Sequence, residues 1–406
     1  MLAIEDLKKA VCDRVDRLAT NLIAASDHLA RNPEVGYREF ETVALLRRLL
    51  EEQGIASEIG VAGLPTAFRA DLPGRKARPC IAILAEYDAL PGIGHGCGHN
   101  IIGVAAVGAA IALGGVMDSL PGSAVLFGTP CEESTTEGAG GKVPMVRQGL
   151  FDRVDAALMI HPHTRNMMSV ESTLAARGFD MEFLGRAAHA AAAPHKGINA
   201  LEAVIQTFNS VNALRQHLKP DVRVHGIITA GGKAVNIVPD YAACRFRIRA
   251  ISVAGRDRVV EKVLRAAESA ARSQGATFRY HESTNPYDNF VPNSHLNVVF
   301  RANLRALGLT MDVEPPGEGK GSTDYGIVSQ RMPAACAYLA IAEPEIGLHS
   351  PEFAAATLSE AGHRALLNGA KAMAMTVIDL LMDPSLLAAA RDEWSRSMAE
   401  FDRTAL

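Results

Sequence analysis

The stretch CIAILAEYDALPGIGHGCGHNIIGVAAVGAAIALGGVM, residues 80 to 117, decides how the rest of the chain is read. CIAILA (80 to 85) is a continuous apolar run of strand length, the pattern of a parallel strand covered on both faces. IIGVAAVGAAIALGGVM (101 to 117) is short for a membrane span, rich in glycine, and directly follows a polar cluster, so we read it as a buried helix, with Asn100 as its expected N-cap. Between them, GIGHGCGHN (92 to 100) separates His95, Cys97 and His99 by single glycines. Strand, loop and helix in that order make the repeating step of an α/β fold.

Three further runs share the style of the first: SAVLFG (123 to 128), DAALMI (155 to 160) and ACAYLAI (335 to 341). Polar residues follow every one of them. Glu86 and Asp88 come after the first, Glu132 and Glu133 after the second, His161 and His163 after the third, and a loop ending in His349 after the last. Open α/β sheets bind ligands outside the carboxyl ends of their strands, so these groups can meet in one crevice despite their separation in sequence. Thiolate, imidazole and carboxylate together suit a zinc- or manganese-type ion, and the glycines let Cys97 and His99 face one point. With Glu133 as a ligand, Glu132 is left to take the proton of an attacking water and return it to a leaving amine, which is hydrolysis of a C–N bond. Taken singly, each piece has a plainer reading: a turn with an incidental histidine, a solvated pair of glutamates, a satisfied core histidine. Their joint occurrence at four strand ends favours the metal site.

Between about 177 and 290 the pattern changes. FDMEF, a helix near 197 to 216, VHGIITA, CRFRIRA, a helix near 256 to 273 and ATFRYHE spell β-α-β-β-α-β, a split ferredoxin-like order. Residues 294 to 341 and two helices near 359 to 402 then resume the first style. The expected organisation is a catalytic α/β domain with a mostly parallel central sheet (1 to 176 and 292 to 406), interrupted by an inserted ferredoxin-like α+β domain (177 to 291). In CRFRIRA, Arg245, Arg247 and Arg249 alternate onto one strand face, either to receive a substrate carboxylate or simply to be solvated.

At 406 residues the chain is long enough for two cores. Its 41 basic and 45 acidic residues leave no basic stripe, which points away from nucleic acid and anionic membranes and towards a small-molecule substrate. The N-terminal MLAIEDLKKAVCDRVDRL reads as a charged helix, not an export signal, and six scattered cysteines do not form a disulfide pattern, so a cytoplasmic location with reduced thiols is expected.

NPEVGYREFET (32 to 42), EYDALPGIGHGCGHN (86 to 100), PCEE (130 to 133), MIHPH (159 to 163), FLGRAAHAAAAPH (183 to 195), GSTDYG (321 to 326) and LHSPEF (348 to 353) together resemble peptidase family M20, in particular its amidohydrolase subfamily. The resemblance covers nearly the whole chain. It implies two divalent ions per subunit (zinc or manganese, with cobalt also serving in the family), bridged by Cys97 and held by His99, Glu133, His161 and His349, with Glu132 as general base and Asp88 orienting a metal-binding histidine. It also implies that the inserted domain forms a homodimer and carries His189 as the oxyanion donor and Asn236 as a substrate contact, and it leaves His95 and His163 outside the ligand set. Asn100, where many relatives carry aspartate, and GSTDYG are similar to the branch near aminobenzoyl-glutamate hydrolase and related dipeptidases. The expected activity is cleavage of an N-acyl or N-aroyl amino acid, or of a dipeptide, with a free carboxylate. Hydrolytic deamination of an amino-substituted aromatic compound is a second reading, and a catalytically silent binding protein a third.

Overall fold

The computed structural model describes residues 3–133, 136–313 and 321–404. In chain order, the elements up to the change of pattern are α1 (Ile4–Arg31), α2 (Phe40–Glu51), β1 (Glu58–Ile59), β2 (Phe68–Leu72), β3 (Cys80–Ala85), α3 (His99–Gly114), β4 (Ser123–Gly128), α4 (Lys142–Arg147), β5 (Ala156–His163) and β6 (Met167–Met168). There follow β7 (Ala175–Leu184), α5 (Ala200–Leu214), β8 (Arg223–Ala230), β9 (Tyr241–Ala250), α6 (Val253–Gln274) and β10 (Thr277–Glu282). The chain ends with α7 (Ser294–Ala306), α8 (Tyr325–Ser329), β11 (Ala334–Ala340), α9 (Pro351–Ala356), α10 (Glu360–Met382) and α11 (Pro384–Thr404). They sort into two compact units, one of residues up to Ser172 together with Phe290–Glu400, the other Thr173–Asn289.

The first unit holds a seven-stranded sheet in the order β1-β2-β4-β3-β5-β11-β6. β4, β3, β5 and β11 are mutually parallel, and β1, β2 and β6 add antiparallel pairs outside them. The mostly parallel α/β sheet read from the sequence is therefore the one that forms. The antiparallel β2 goes beyond that reading, which rests on continuous apolar runs, whereas FRADL alternates apolar and polar residues. Every residue of β3 is buried, as a strand covered on both faces must be.

Helix α3 packs against β3, β4 and β5, and α1 and α10 pack on α3. It is buried from His99 to Leu113, which is why it lacks a polar face. α10 is long and apolar enough to cross a membrane, but 72% of its apolar window is buried within the protein. One local expectation is corrected: Gly98, in the left-handed conformation, is the N-cap of α3, and Asn100 sits within the first turn. There its amide nitrogen donates to Ser26 Oγ (3.0 Å) and ties α3 to α1.

The second unit is a four-stranded antiparallel sheet in the order β10-β7-β9-β8, with α5 and α6 on one face. This is the ferredoxin-like arrangement that the β-α-β-β-α-β pattern predicts. Phe179, Met181, Phe183, Cys244, Phe246 and Ile248 alternate inward against Val204, Val211, Val260 and Val263 of the helices.

Candidate metal centre

Four strand ends build the site within the first unit. Past β3 the chain places Glu86 and Asp88, both almost completely buried, then turns through 89–98 into α3. Past β4 come Cys131, at a positive φ of 56°, and the pair Glu132-Glu133. β5 carries His161 near its end, and the loop after β11 delivers His349 at φ 63°. The His349 amide donates to Gly96 O (2.8 Å), so the fourth loop is pinned directly on the first. Strain of this kind in a non-glycine residue is held only where the surroundings over-determine it.

Cys97 Sγ, His99 and His161 offer ligand atoms within 4.8 Å of one another; so do Cys97, Glu133 and His349, and so do His99, Glu132 and Glu133. All five residues expected to ligate, and the expected base, thus lie in one cluster. Asp88 is beneath it: His99 Nδ1 donates to Asp88 Oδ1 (3.0 Å) and the Glu133 amide donates to Asp88 Oδ2 (3.0 Å). The first of these bonds turns the other nitrogen of His99 into the cluster. His161 Nδ1 donates to Pro162 O (2.7 Å), which likewise presents its Nε2, 3.5 Å from Cys97 Sγ. His349 Nε2 is 3.4 Å from Glu133 Oε1.

His99 Nε2 and Glu133 Oε1 are buried and make no hydrogen bond. Buried polar atoms are normally hydrogen-bonded, and a buried imidazole nitrogen and carboxylate oxygen without a hydrogen bond, in groups that also hold a thiol, are donors of the kind a cation site uses. The residues therefore fit a divalent metal. Cys97, His99 and Glu133 each belong to two of the three groups, so the groups join into one cluster.

The electrostatics agree. Burial pushes the Cys97 thiol up to about 12 and the His161 imidazole down to about 4. Burial and the neighbouring carboxylates Glu86, Glu133 and Asp324 hold the Glu132 carboxyl well above the ordinary glutamate range. Burial opposes the charge on His99, yet Asp88 and Cys97 beside it win and raise its pKa. Like charges crowded out of water hold protons that a divalent cation would displace.

His95 is buried but joins none of the ligand groups, and His163 packs its ring on Tyr338 at 5.2 Å. Two residues that sequence reasoning does not single out adjoin the centre. Lys142 is fully buried and donates to Glu86 Oε1 (2.6 Å) and to Asp324 Oδ1 (2.5 Å). Nothing marks Lys142 in GGKVPMV, where a lysine reads as solvated, and Asp324 lies in GSTDYG, a motif whose residues carry no assigned role.

His189, Asn236 and Arg247 lie in the second unit. His189 is exposed and its Nδ1 accepts from the amides of Ala191 (3.2 Å) and Ala192 (3.1 Å). Asn236 is beside it, its carbonyl accepting from the Ala190 amide (3.0 Å). Of the three arginines, Arg245 is engaged bidentately by Asp180 (2.8 and 2.9 Å), whereas the Arg247 guanidinium lies 5.5 Å from the centre of the Tyr287 ring.

A mostly parallel sheet with a cysteine–histidine–carboxylate cluster at its strand ends, and a separate ferredoxin-like unit inserted in the chain, make a two-unit α/β protein with a candidate metal centre. Residues 165–274 match the peptidase dimerisation domain model of family M20. The chain is 34% identical to the Xaa-Arg dipeptidase of Mus musculus, over 98% of this chain and 94% of that protein. It is 29% identical to a subunit of the p-aminobenzoyl-glutamate hydrolase of Escherichia coli K12, over 96% and 95%. It belongs to the M20 peptidase family of hydrolases. In solved structures, an aminobenzoyl-glutamate utilization protein of Klebsiella pneumoniae (TM-score 0.74, 20% identity, 90% of this chain and 97% of that one) shares the fold. So does a dinuclear metal-binding M20 peptidase of Bacillus subtilis (TM-score 0.67, 23% identity, 90% and 99%).

Proposed function

We propose that the protein is a metal-dependent amidohydrolase that cleaves the amide bond of an N-acyl or N-aroyl amino acid or of a dipeptide carrying a free carboxylate. The observation that carries this reading is the convergence of Cys97, His99, Glu132, Glu133, His161 and His349 from four strand ends. Two divalent ions held by Cys97, His99, Glu133, His161 and His349, zinc or manganese with cobalt a third choice, would polarise the scissile carbonyl and make water nucleophilic near neutral pH. Glu132 takes the proton of the attacking water and delivers it to the leaving nitrogen. Asp88 fixes the His99 tautomer and, through the Glu133 amide, the carboxylate next to the base.

His189 is the oxyanion donor in this reading. With Nδ1 accepting two backbone amides, the ring proton resides on Nε2, which is then the donor. Asn236, adjacent to it, contacts the substrate, and Arg247 receives the carboxylate. The dimer belongs to the same reading: β8 is an edge of its sheet and exposes Ile227 and Ile228, and the matched family model is a dimerisation domain. So does a cytoplasmic location, supported by six free thiols. The similarity to a Xaa-Arg dipeptidase and to an aminobenzoyl-glutamate hydrolase supports dipeptides and aroyl amino acids as the first substrates to test.

Protein purified without chelator should hold about two ions per chain and release an amino acid, not ammonia, from such amides. Glu132→Gln should keep the metal and lose at least about 100-fold in kcat. Retention of more than a tenth of the wild-type rate would remove Glu132 from the role of base.

A further inference from the structure

Lys142 is a fully buried ammonium in the middle of the carboxylates. Taking a charge out of water costs several kcal/mol unless it is paired, so a lysine held here without solvent has to be matched by specific partners. It has two, from separate parts of the chain: Glu86 beyond β3 (2.6 Å) and Asp324 at the start of α8 (2.5 Å), and Asp324 also accepts from the Lys142 amide (3.0 Å). The segment leading into Lys142 is fastened to the base-bearing loop, the Gly140 amide donating to Cys131 O (2.8 Å). One consequence concerns Glu86 alone. Its Oε1 belongs to Lys142, but its Oε2 is 3.6 Å from His99 Nε2, the nitrogen on which the metal centre depends. A carboxylate at that distance is a competing donor for whatever His99 binds.

We propose that Lys142 is a positioning residue that holds Glu86 out of the coordination sphere, so that the ion on His99 keeps a position for water and substrate. This rests on the metal-centre reading above. Asp324 anchors the ammonium from the far side, and the Glu86–Lys142–Asp324 chain lets a site surrounded by acids keep one acid in reserve. A role in folding alone predicts loss of stability and metal together; the positioning role predicts a change in the kind of coordination that removal of Glu86 reverses.

Cobalt(II) reports this directly, because its visible bands weaken and shift when a further oxygen ligand raises the coordination number. Wild type, Lys142→Met, Glu86→Gln and the double variant are each loaded with Co²⁺ and their visible spectra, bound metal and thermal midpoints compared. The expected result is a weaker, shifted spectrum for Lys142→Met with Co²⁺ still bound, a wild-type spectrum for Glu86→Gln, and return to the wild-type spectrum in the double variant. A wild-type spectrum for Lys142→Met, or no return in the double variant, overturns the proposal. A changed spectrum for Glu86→Gln alone also overturns it, since Glu86 is then itself a ligand; that arm leaves Lys142 paired with Asp324 and decides the matter even where Lys142→Met does not fold. A wild-type protein that takes up no Co²⁺ overturns the metal centre itself.

Discussion

At the scale of single residues, the chemistry of the centre is set by groups kept from their ordinary protonation states. The Cys97 thiol, pushed up to about 12 by burial, is protonated in the metal-free protein at neutral pH, whereas only the thiolate ligates. Metal uptake therefore has to expel that proton, and His99, whose pKa is raised by the Asp88 carboxylate against the effect of burial, adds a second source. The sign follows: affinity rises with pH, about tenfold per unit for each proton released. Calorimetric titrations with Zn²⁺ in buffers of different ionisation enthalpy should show at least one proton leaving per chain, and a flat pH profile would contradict ligation by Cys97. Asp88 is the other telling residue, because its two oxygens hold His99 and the Glu133 amide at once. Asp88→Asn should weaken metal binding about 10- to 100-fold while leaving the fold intact, which a competition assay with a chromogenic chelator measures.

At the scale of elements, the site depends on how tightly α3 begins. Gly98 stands at φ 79°, and a Cβ there would come within 2.5 Å of the Pro162 side chain. That contact is the reason position 98 of GIGHGCGHN is bare: the backbone between Cys97 and His99 lies directly on the strand end that carries His161. Gly98→Ala should cost about 1–2 kcal/mol for the left-handed conformation, with more for displacing Pro162, and should lower metal affinity as well as the urea midpoint. Loss of stability with unchanged metal affinity would show that the close approach serves packing only. The cap expected at Asn100 fails for a related reason. Burial of the whole helix makes an interior link to Ser26 worth more than a cap, and glycine takes the terminus because only it adopts the required angle without strain.

At the scale of the whole molecule, the second unit offers a sheet edge where the first offers a centre. β8 is at the end of its sheet, with Ile227 62% and Ile228 47% exposed, and such an edge invites pairing with another strand unless it is blocked. In the proposed dimer this edge is covered by a second copy. The double substitution Ile227→Lys with Ile228→Lys should give a monomer by light scattering with its secondary structure retained, because both side chains lie outside the core of Phe179, Phe183 and Phe246. A dimer of unchanged stability would put the interface elsewhere.

The sequence by itself determined the fold class and the donor types. Continuous apolar runs of strand length point to strands buried on both faces, an alternating block between helices points to a one-sided sheet, and the cysteine, histidines and glutamates that follow the runs are the donor types of a cation site. These features are local, and a period of two or of 3.6 residues is visible in a short window. What only the tertiary structure decided is non-local. The order β4-β3-β5-β11 brings residues from Cys97 to His349 within ligand distance, and no window of sequence carries strand order. Nor could the sequence distinguish Lys142 from any solvated lysine. Its charge is tolerated only because Glu86 and Asp324, remote in the chain, fold around it, and pairing of that kind exists only once the core has closed.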